Sequence, residues 1–459
     1  MKPKRPINRD VPAPEDPAPA EPKKAEEPPK PAEPENEREP KEPPAPGKHR
    51  EPKPLAPKLL AALVVLALVF IVVAIVGSSG GDDKAGTTSA APASAPAAAG
   101  QGDEGSSSAQ APEALGYPGT ATNNTTRIGD SDPTSNAAAV SLAVFPSTTP
   151  AQRPAAVTLV DEKDWAGALA AAVLMAEPVR APVLFSAPGE LPEATAQALE
   201  ALDPQGSKAT GGASYFAIGS VALPDGAGKV TRVDSGDPAA TAAQIATLRE
   251  RLTGEEPKQI MVAPTEFPEY AMAAAAYAAR SGYPILFTDT KKLSQPTVAF
   301  LKRHPKANAH VIGPSEVVSL RDIGEVGDLV NEVSRITGPG PGDTALALAH
   351  DRTFGFGWGV SDPGHGFVIV DNDSPDNAAA AAPLSASGTW APLLLTKEPD
   401  TLPAKVRSYL LDVKPGYTND PTRAFYNHVW LIGDQEEISV QQQAEVNELA
   451  ELTKIGGGE

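Results

Sequence analysis

Three arginines stand at matching places along this chain. Arg127 opens RIGDSDPTSNAAAV, Arg232 opens RVDSGDPAATAAQI and Arg335 opens RITGPGPGDTALAL. The arginine side chain presents a planar fork of donors that grips carboxylate or phosphate oxygens in pairs. Three equivalent arginines could therefore line a locally positive seat for an anionic ligand. The competing reading is that each one pairs with its own Asp-rich turn or with a neighbouring domain. Three carboxylates recur in a similar way: Asp161, Glu266 and Asp371 each follow an apolar run. In open parallel sheets ligands sit beyond the carboxyl ends of the strands, which makes these acids candidates too. Helix capping or simple solvation is their alternative role.

Other chemistries find no foothold. The chain has no cysteine, which removes thiolate metal sites, a thiol nucleophile and disulfides. Its six histidines are scattered, without the His-x-x-x-His pair and glutamate of a zinc hydrolase. No Gly-x-Ser-x-Gly elbow is present to seat a serine nucleophile. TGPGPGDT, residues 337–344, resembles a phosphate cradle, but its prolines remove amide donors and no strand is expected immediately before it. The sequence thus predicts no catalytic residue, no metal site and no cofactor.

What positions the arginines and carboxylates is a repeat. The three arginine openings recur at an interval of about a hundred residues, too long for a solenoid unit and long enough for a separate core. After each opening comes an Ala-rich helical run, then a short apolar strand: AAVTLV at 155–160, QIMVA at 259–263, FVIV at 367–370. A second Ala-rich helix follows, beginning at Trp165, Glu269 and Asp376. Then come the related sentences APVLFSAPGELPEATAQALEAL, YPILFTDTKKLSQPTVAFLKRH and APLLLTKEPDTLPAKVRSYLLDV, and finally a strand ending in Gly219, Gly313 or Gly433. Continuous apolar strands alternating with helices predict parallel sheets covered by helices on both faces. The expected fold class is α/β, with three tandem Rossmann-like or flavodoxin-like parallel-sheet domains at 126–230, 231–334 and 335–452. GWGVSDPGHG and GYTNDPTRAFYN in the third copy read as surface insertions.

The first part of the chain is different. Residues 1–54 are rich in Pro, Glu and Lys and poor in apolar bulk, so they are expected to be a disordered tail. Residues 55–77 contain Leu59–Val76, an unbroken apolar run long enough to cross a bilayer as a helix. Basic residues flank it on the N-terminal side and Asp82 and Asp83 on the other, which predicts a cytoplasmic N-terminus and an extracytoplasmic remainder. Residues 78–125, rich in Gly, Ser and Ala, read as a flexible linker. The formal net charge of −19 excludes nucleic-acid binding through the overall field.

The arginine openings, the WAGALAAAV helix at Trp165, the YPILFTDTKKL strand at Tyr283 and the glycine-terminated strands, in three tandem copies, resemble the cell wall-binding repeat 2 family. The resemblance covers about residues 126–452. It implies Rossmann-like domains in a pseudo-threefold arrangement on a Gram-positive cell surface, and non-covalent binding of a cell-wall polymer, an anionic secondary polymer or peptidoglycan. The sequence departs from the family pattern where an acidic residue is expected: Gly167 stands there in the first copy, Glu269 in the second, and Asn377 or the adjacent Asp376 in the third. The expected function is a non-enzymatic envelope-binding protein that touches the bilayer through Leu59–Val76. A partner for the Pro-rich cytoplasmic tail is a further expectation. The alternatives are an envelope hydrolase or transferase with a cleft between domains, or a scaffold for an envelope complex.

Overall fold

The computed structural model of the protein describes residues 120–129, 131–234 and 236–455. The expected tail at 1–54, the membrane span at 55–77 and the linker up to residue 119 lie outside the described residues. Among the described residues no helix is long and apolar enough to cross a membrane.

The chain enters through β1 (Thr120–Ala121) and β2 (Thr125–Ile128), which pair antiparallel. Thr120, Ala121 and Thr125, at the end of the expected linker, thus belong to a sheet. Helix α1 (Pro133–Val144) leads into β3 (Val157–Val160), α2 (Trp165–Ala171), β4 (Val183–Phe185), α3 (Glu193–Leu202), β5 (Tyr215–Ile218) and β6 (Val230–Val233). These strands form a parallel sheet in the order β4-β3-β5-β6. The second copy runs α4 (Pro238–Thr253), β7 (Gln259–Pro264), α5 (Met272–Ser281), β8 (Ile285–Thr288), α6 (Gln295–Arg303), β9 (Asn308–Ile312), α7 (Leu320–Gly327) and β10 (Glu332–Ile336). Its sheet has the order β8-β7-β9-β10, again parallel. The third runs α8 (Pro341–His350), β11 (Gly366–Asp371), α9 (Pro375–Ala386), β12 (Trp390–Thr396), α10 (Ala404–Asp412), β13 (Gly416–Tyr417), β14 (His428–Ile432), α11 (Val440–Ala450) and β15 (Thr453–Lys454). Here the order is β12-β11-β14-β2-β1.

Matching strands therefore lie in the same order in all three sheets, and β3, β5, β7 and β11 are buried along their whole length. The arginine-bearing strands are the fourth in each case. The strands of Arg232 and Arg335 pair with the sheet of the copy before them, and the turn that follows carries the chain into the next copy. Among the described residues no earlier sheet precedes the strand of Arg127. It pairs with β14 at the other end of the molecule and so closes the ring of three. Sequence similarity placed the boundaries just ahead of Arg127, Arg232 and Arg335, whereas backbone pairing places the change of sheet just after them. The turns that follow share one local design. A proline stands at the first helical position (Pro133, Pro238, Pro341), where its missing N–H costs nothing. The Asp132 and Asp237 side chains accept from the helix amides behind them. Gly340 takes that place in the third copy.

The three copies meet through α2, α5 and α9, which pack on one another. The sequence makes this possible by being nearly all alanine on these helices. Ala378, Ala379, Ala380, Ala381 and Ala382 are fully buried, as are Ala274, Ala275 and Ala276. A helix buried on every side needs no amphipathic stripe, and methyl side chains let the helix axes approach closely. One hydrophobic core consequently runs through all three copies, with a smaller cluster around Phe300 and Leu286 in the second.

The expected surface insertion GWGVSDPGHG is only partly at the surface: Ser361 and Asp362 are exposed, whereas Trp358 and Val360 are buried in this core. Phe356, just ahead of it, is buried as well, and Phe356 and Trp358 stack edge-on against Tyr277. Large rings fill space that alanine helices leave open. GYTNDPTRAFYN does lie at the surface, with Phe425 and Tyr426 exposed. The expectation that no strand precedes TGPGPGDT also fails, since β10 ends at Ile336. Pro341 still withholds an amide from any cradle there.

Candidate functional site

The three arginines occupy one register. Arg127, Arg232 and Arg335 stand opposite Leu431, Ala217 and Val311, each two residues before a strand-ending glycine. Gly219, Gly313 and Gly433 all have positive φ, of 75°, 101° and 123°, a conformation that suits glycine. From this common position the three side chains meet different surroundings.

Beyond Gly433 and Gly313 the chain makes a loop and then a helix capped by Ser439 or Ser319. The arginine beneath each loop is spent on it. Arg127 is buried; its Nη1 donates to the carbonyls of Gly433 at 2.9 Å and Asp434 at 2.7 Å, its Nη2 to Ile438 at 2.5 Å, and its Nε to Gln443 Oε1 at 3.1 Å. Arg335 repeats the pattern, Nη1 to Gly313 at 2.6 Å and Nη2 to Val318 at 2.8 Å. Beyond Gly219 there is no helix before β6. The carbonyl-lined pocket is missing, and the exposed Arg232 side chain has no hydrogen bond or ion pair among the described residues. The three arginines do not converge on one seat. Two are internal clamps and one is left facing solvent.

Arg232 lines a groove of about 730 Å³ at the carboxyl end of the first sheet. Asp161, Lys163, Asp164 and Trp165 line the same groove. Two sequence-predicted residues, Asp161 and Arg232, thus come together, and Lys163 adds a second cation that the repeat pattern did not single out. The Asp161 carboxylate accepts from the Lys163 amide at 3.0 Å, which shapes the strand-to-helix turn. Asp164 caps α2 by accepting from Gly167 N–H at 2.9 Å.

The other two carboxylates are separate from this groove. Glu266 ties two loops of the second sheet, accepting from the Thr290 amide at 2.8 Å and from its hydroxyl. Asp371 ends β11, is nearly buried, and accepts from the Asp373 amide at 2.8 Å. Burial, with Asp373, Glu437 and Glu398 nearby, pushes its carboxyl up to about 6. Asp376 rises to about 6 as well, through burial and Glu162. Glu437 is also raised by burial, despite the hydrogen bond it accepts from Ser374. No group of acids and histidines among the described residues is arranged to hold a metal ion.

Comparison with known proteins fits this α/β architecture of parallel sheets. Residues 232–321 match the family model "Cell wall binding domain 2 (CWB2)", so the resemblance read from the sequence is shown there. The matched stretch starts at the Arg232 strand and ends within α7. The fold is similar to two solved structures. One is Cwp6 from Clostridium difficile, with a TM-score of 0.56 and 20% identity over 71% of this chain and 47% of that one. The other is Cwp8 from Clostridium difficile, with a TM-score of 0.56 and 19% identity over 72% of this chain and 52% of that one. This chain spans about half the length of each of these two. A comparison with curated proteins gives no match. A cell-wall-binding domain supports association with the cell wall and a location at the extracytoplasmic surface.

Proposed function

We propose that this protein is a non-enzymatic attachment module of the cell envelope. Leu59–Val76 anchors it in the cell membrane with residues 1–54 in the cytoplasm. The three Rossmann-like repeats stand outside and hold an anionic wall polymer. The match of residues 232–321 to a cell-wall-binding domain supports the wall as partner. The observation that carries the site is Arg232, which keeps its register with Arg127 and Arg335 but has no side-chain acceptor among the described residues. It faces a groove beyond the carboxyl ends of parallel strands, beside Lys163. A partner of the 1–54 tail inside the cell belongs to the same proposal; deleting the tail is expected to leave wall retention unchanged.

One observation favours the rival enzymatic reading. Asp371, pushed up to about 6 near Glu437, has the perturbed acidity often found at catalytic acids. We assign that shift to burial at the end of β11, where Asp373, Glu437 and Glu398 lie nearby. Sedimentation of the full-length chain with sacculi tests the attachment reading. Retention on intact sacculi that is lost when secondary polymers are stripped is the expected result. Equal retention in both cases, or none, contradicts it.

A further inference from the structure

The other side of the Arg232 strand opens on a second groove, of about 490 Å³, between the first and second copies. Arg251 at the end of α4 and Arg303 at the end of α6 line it together with Arg232. All three are exposed, and none is in an ion pair with a described carboxylate. No acidic residue lines this groove. On a chain of net charge −19, three uncompensated guanidinium groups in one small groove are a departure from the surrounding field. Arg303 is also oriented. Its Nη2 donates to Thr247 Oγ1 at 2.9 Å, and its guanidinium lies 4.9 Å over the Phe300 ring. These contacts fix the side chain without cancelling its charge. Glu250, Glu255 and Glu256 belong to an adjoining groove that Arg251 and Arg303 also border, Glu250 being engaged by His304 Nε2 at 2.8 Å, and Asp161, Asp164 and Asp234 line the groove on the far side of Arg232.

We propose that Arg232, Arg251 and Arg303 form a subsite for a phosphate-class oxyanion carrying more than one charge. The site exists because the first copy lacks the loop and helix that consume the equivalent arginine in the other two. Forked guanidinium donors lining one groove from three elements suit the several oxygens of a phosphate chain better than an isolated carboxylate. The assignment of the natural ligand to a wall polymer rests on the function proposed above; the site itself rests on the geometry.

Calorimetric titration of the full-length chain in detergent with tripolyphosphate, and in parallel with hexaglutamate, tests it. Tripolyphosphate is expected to bind, more weakly as salt is raised. The double variant R232A/R251A is expected to bind it about tenfold more weakly or less, with unchanged melting because both side chains are exposed. The control Arg321→Ala, whose exposed side chain pairs with Glu325, is expected to bind like the wild type. Hexaglutamate is expected to bind far more weakly than tripolyphosphate. Absence of tripolyphosphate binding, equal affinity in the double variant, or equal binding of hexaglutamate overturns the proposal. Tripolyphosphate binding without retention on sacculi contradicts the wall reading and leaves this site standing. Retention on sacculi without tripolyphosphate binding overturns the site and leaves the wall reading.

Discussion

Arg335 donates to the carbonyl of Gly313 at 2.6 Å, as Arg127 donates to that of Gly433 at 2.9 Å. The pairing places a charged fork beneath a glycine turn that must keep positive φ. A side chain at Gly313 would press on Val317 Cγ2 at 2.5 Å. Removing the fork leaves carbonyls without their donors, at a cost per group that exceeds the gain of an ordinary hydrogen bond. Arg127→Ala is therefore expected to lower stability by about 3 kcal/mol, Arg335→Ala by about 1–2, and Arg232→Ala by less than about 0.5. Urea denaturation midpoints check this order. A loss for Arg232→Ala equal to that for Arg335→Ala would show that Arg232 is a clamp too.

The acid at the end of β11 gives a pH dependence. Asp371 has its folded pKa near 6, above the ordinary 3.8. Between those values the folded chain holds a proton that the unfolded chain releases, so stability falls as pH rises through this window. Asp371→Asn removes the charge while keeping an oxygen for the Asp373 amide. It is expected to raise stability at pH 7.5 by on the order of 1 kcal/mol and to give no gain at pH 3.5. Thermal melts at the two pH values read the difference, and a gain of equal size at both would reject the assignment.

His310 works in the opposite sense. It is fully buried, hydrogen-bonded through Nδ1 to Ser334 and through Nε2 to Gln259, and stacked on Phe356 with ring centroids 3.6 Å apart. Burial lowers its pKa to about 4. The neutral ring contributes stability that is present above pH 6.5 and is lost as pH falls toward 4. Ring proton shifts followed by NMR are expected to stay constant from pH 8 to pH 5.5, whereas a titration midpoint near 6.5 would mean that water reaches the ring.

The alanine seam between copies tolerates little added volume. Ala380→Leu on α9 or Ala275→Leu on α5 forces extra methylenes into fully buried positions between packed helices. Each is expected to cost about 1–3 kcal/mol. A loss of comparable size from Ala347→Leu, which is only half-buried on α8, would show that the seam is no tighter than the periphery.

Much of this arrangement is legible in the residues. The inner strands are unbroken apolar runs and sit where those runs are, and the Pro at the start of the crossover helices marks the strand-to-helix turns. The arginine strands are harder to read. TTRI, VTRV and EVSRI are short and mixed, and nothing local tells a strand which sheet it will join. That is why similarity drew the copy boundaries ahead of these strands while pairing drew them after. The divergence of the three arginines was legible in principle. The helix-forming stretches after Gly313 and Gly433 have no counterpart between Gly219 and Val230. The acceptors that decide which arginine is spent are backbone carbonyls, which every sequence contains alike, so side-chain identity could not distinguish the three. Arg251 and Arg303 lie on exposed helix ends without a repeat signature, and only the meeting of α4 and α6 brings them beside Arg232.

The central claim is that one copy's missing loop leaves Arg232 available to a ligand at the wall. Retention of full-length Arg232→Ala on intact sacculi, measured beside wild type and Arg321→Ala at equal melting temperature, tests it most directly. The account predicts that Arg232→Ala is released at lower salt than the other two. Retention of all three to the same salt concentration would contradict it.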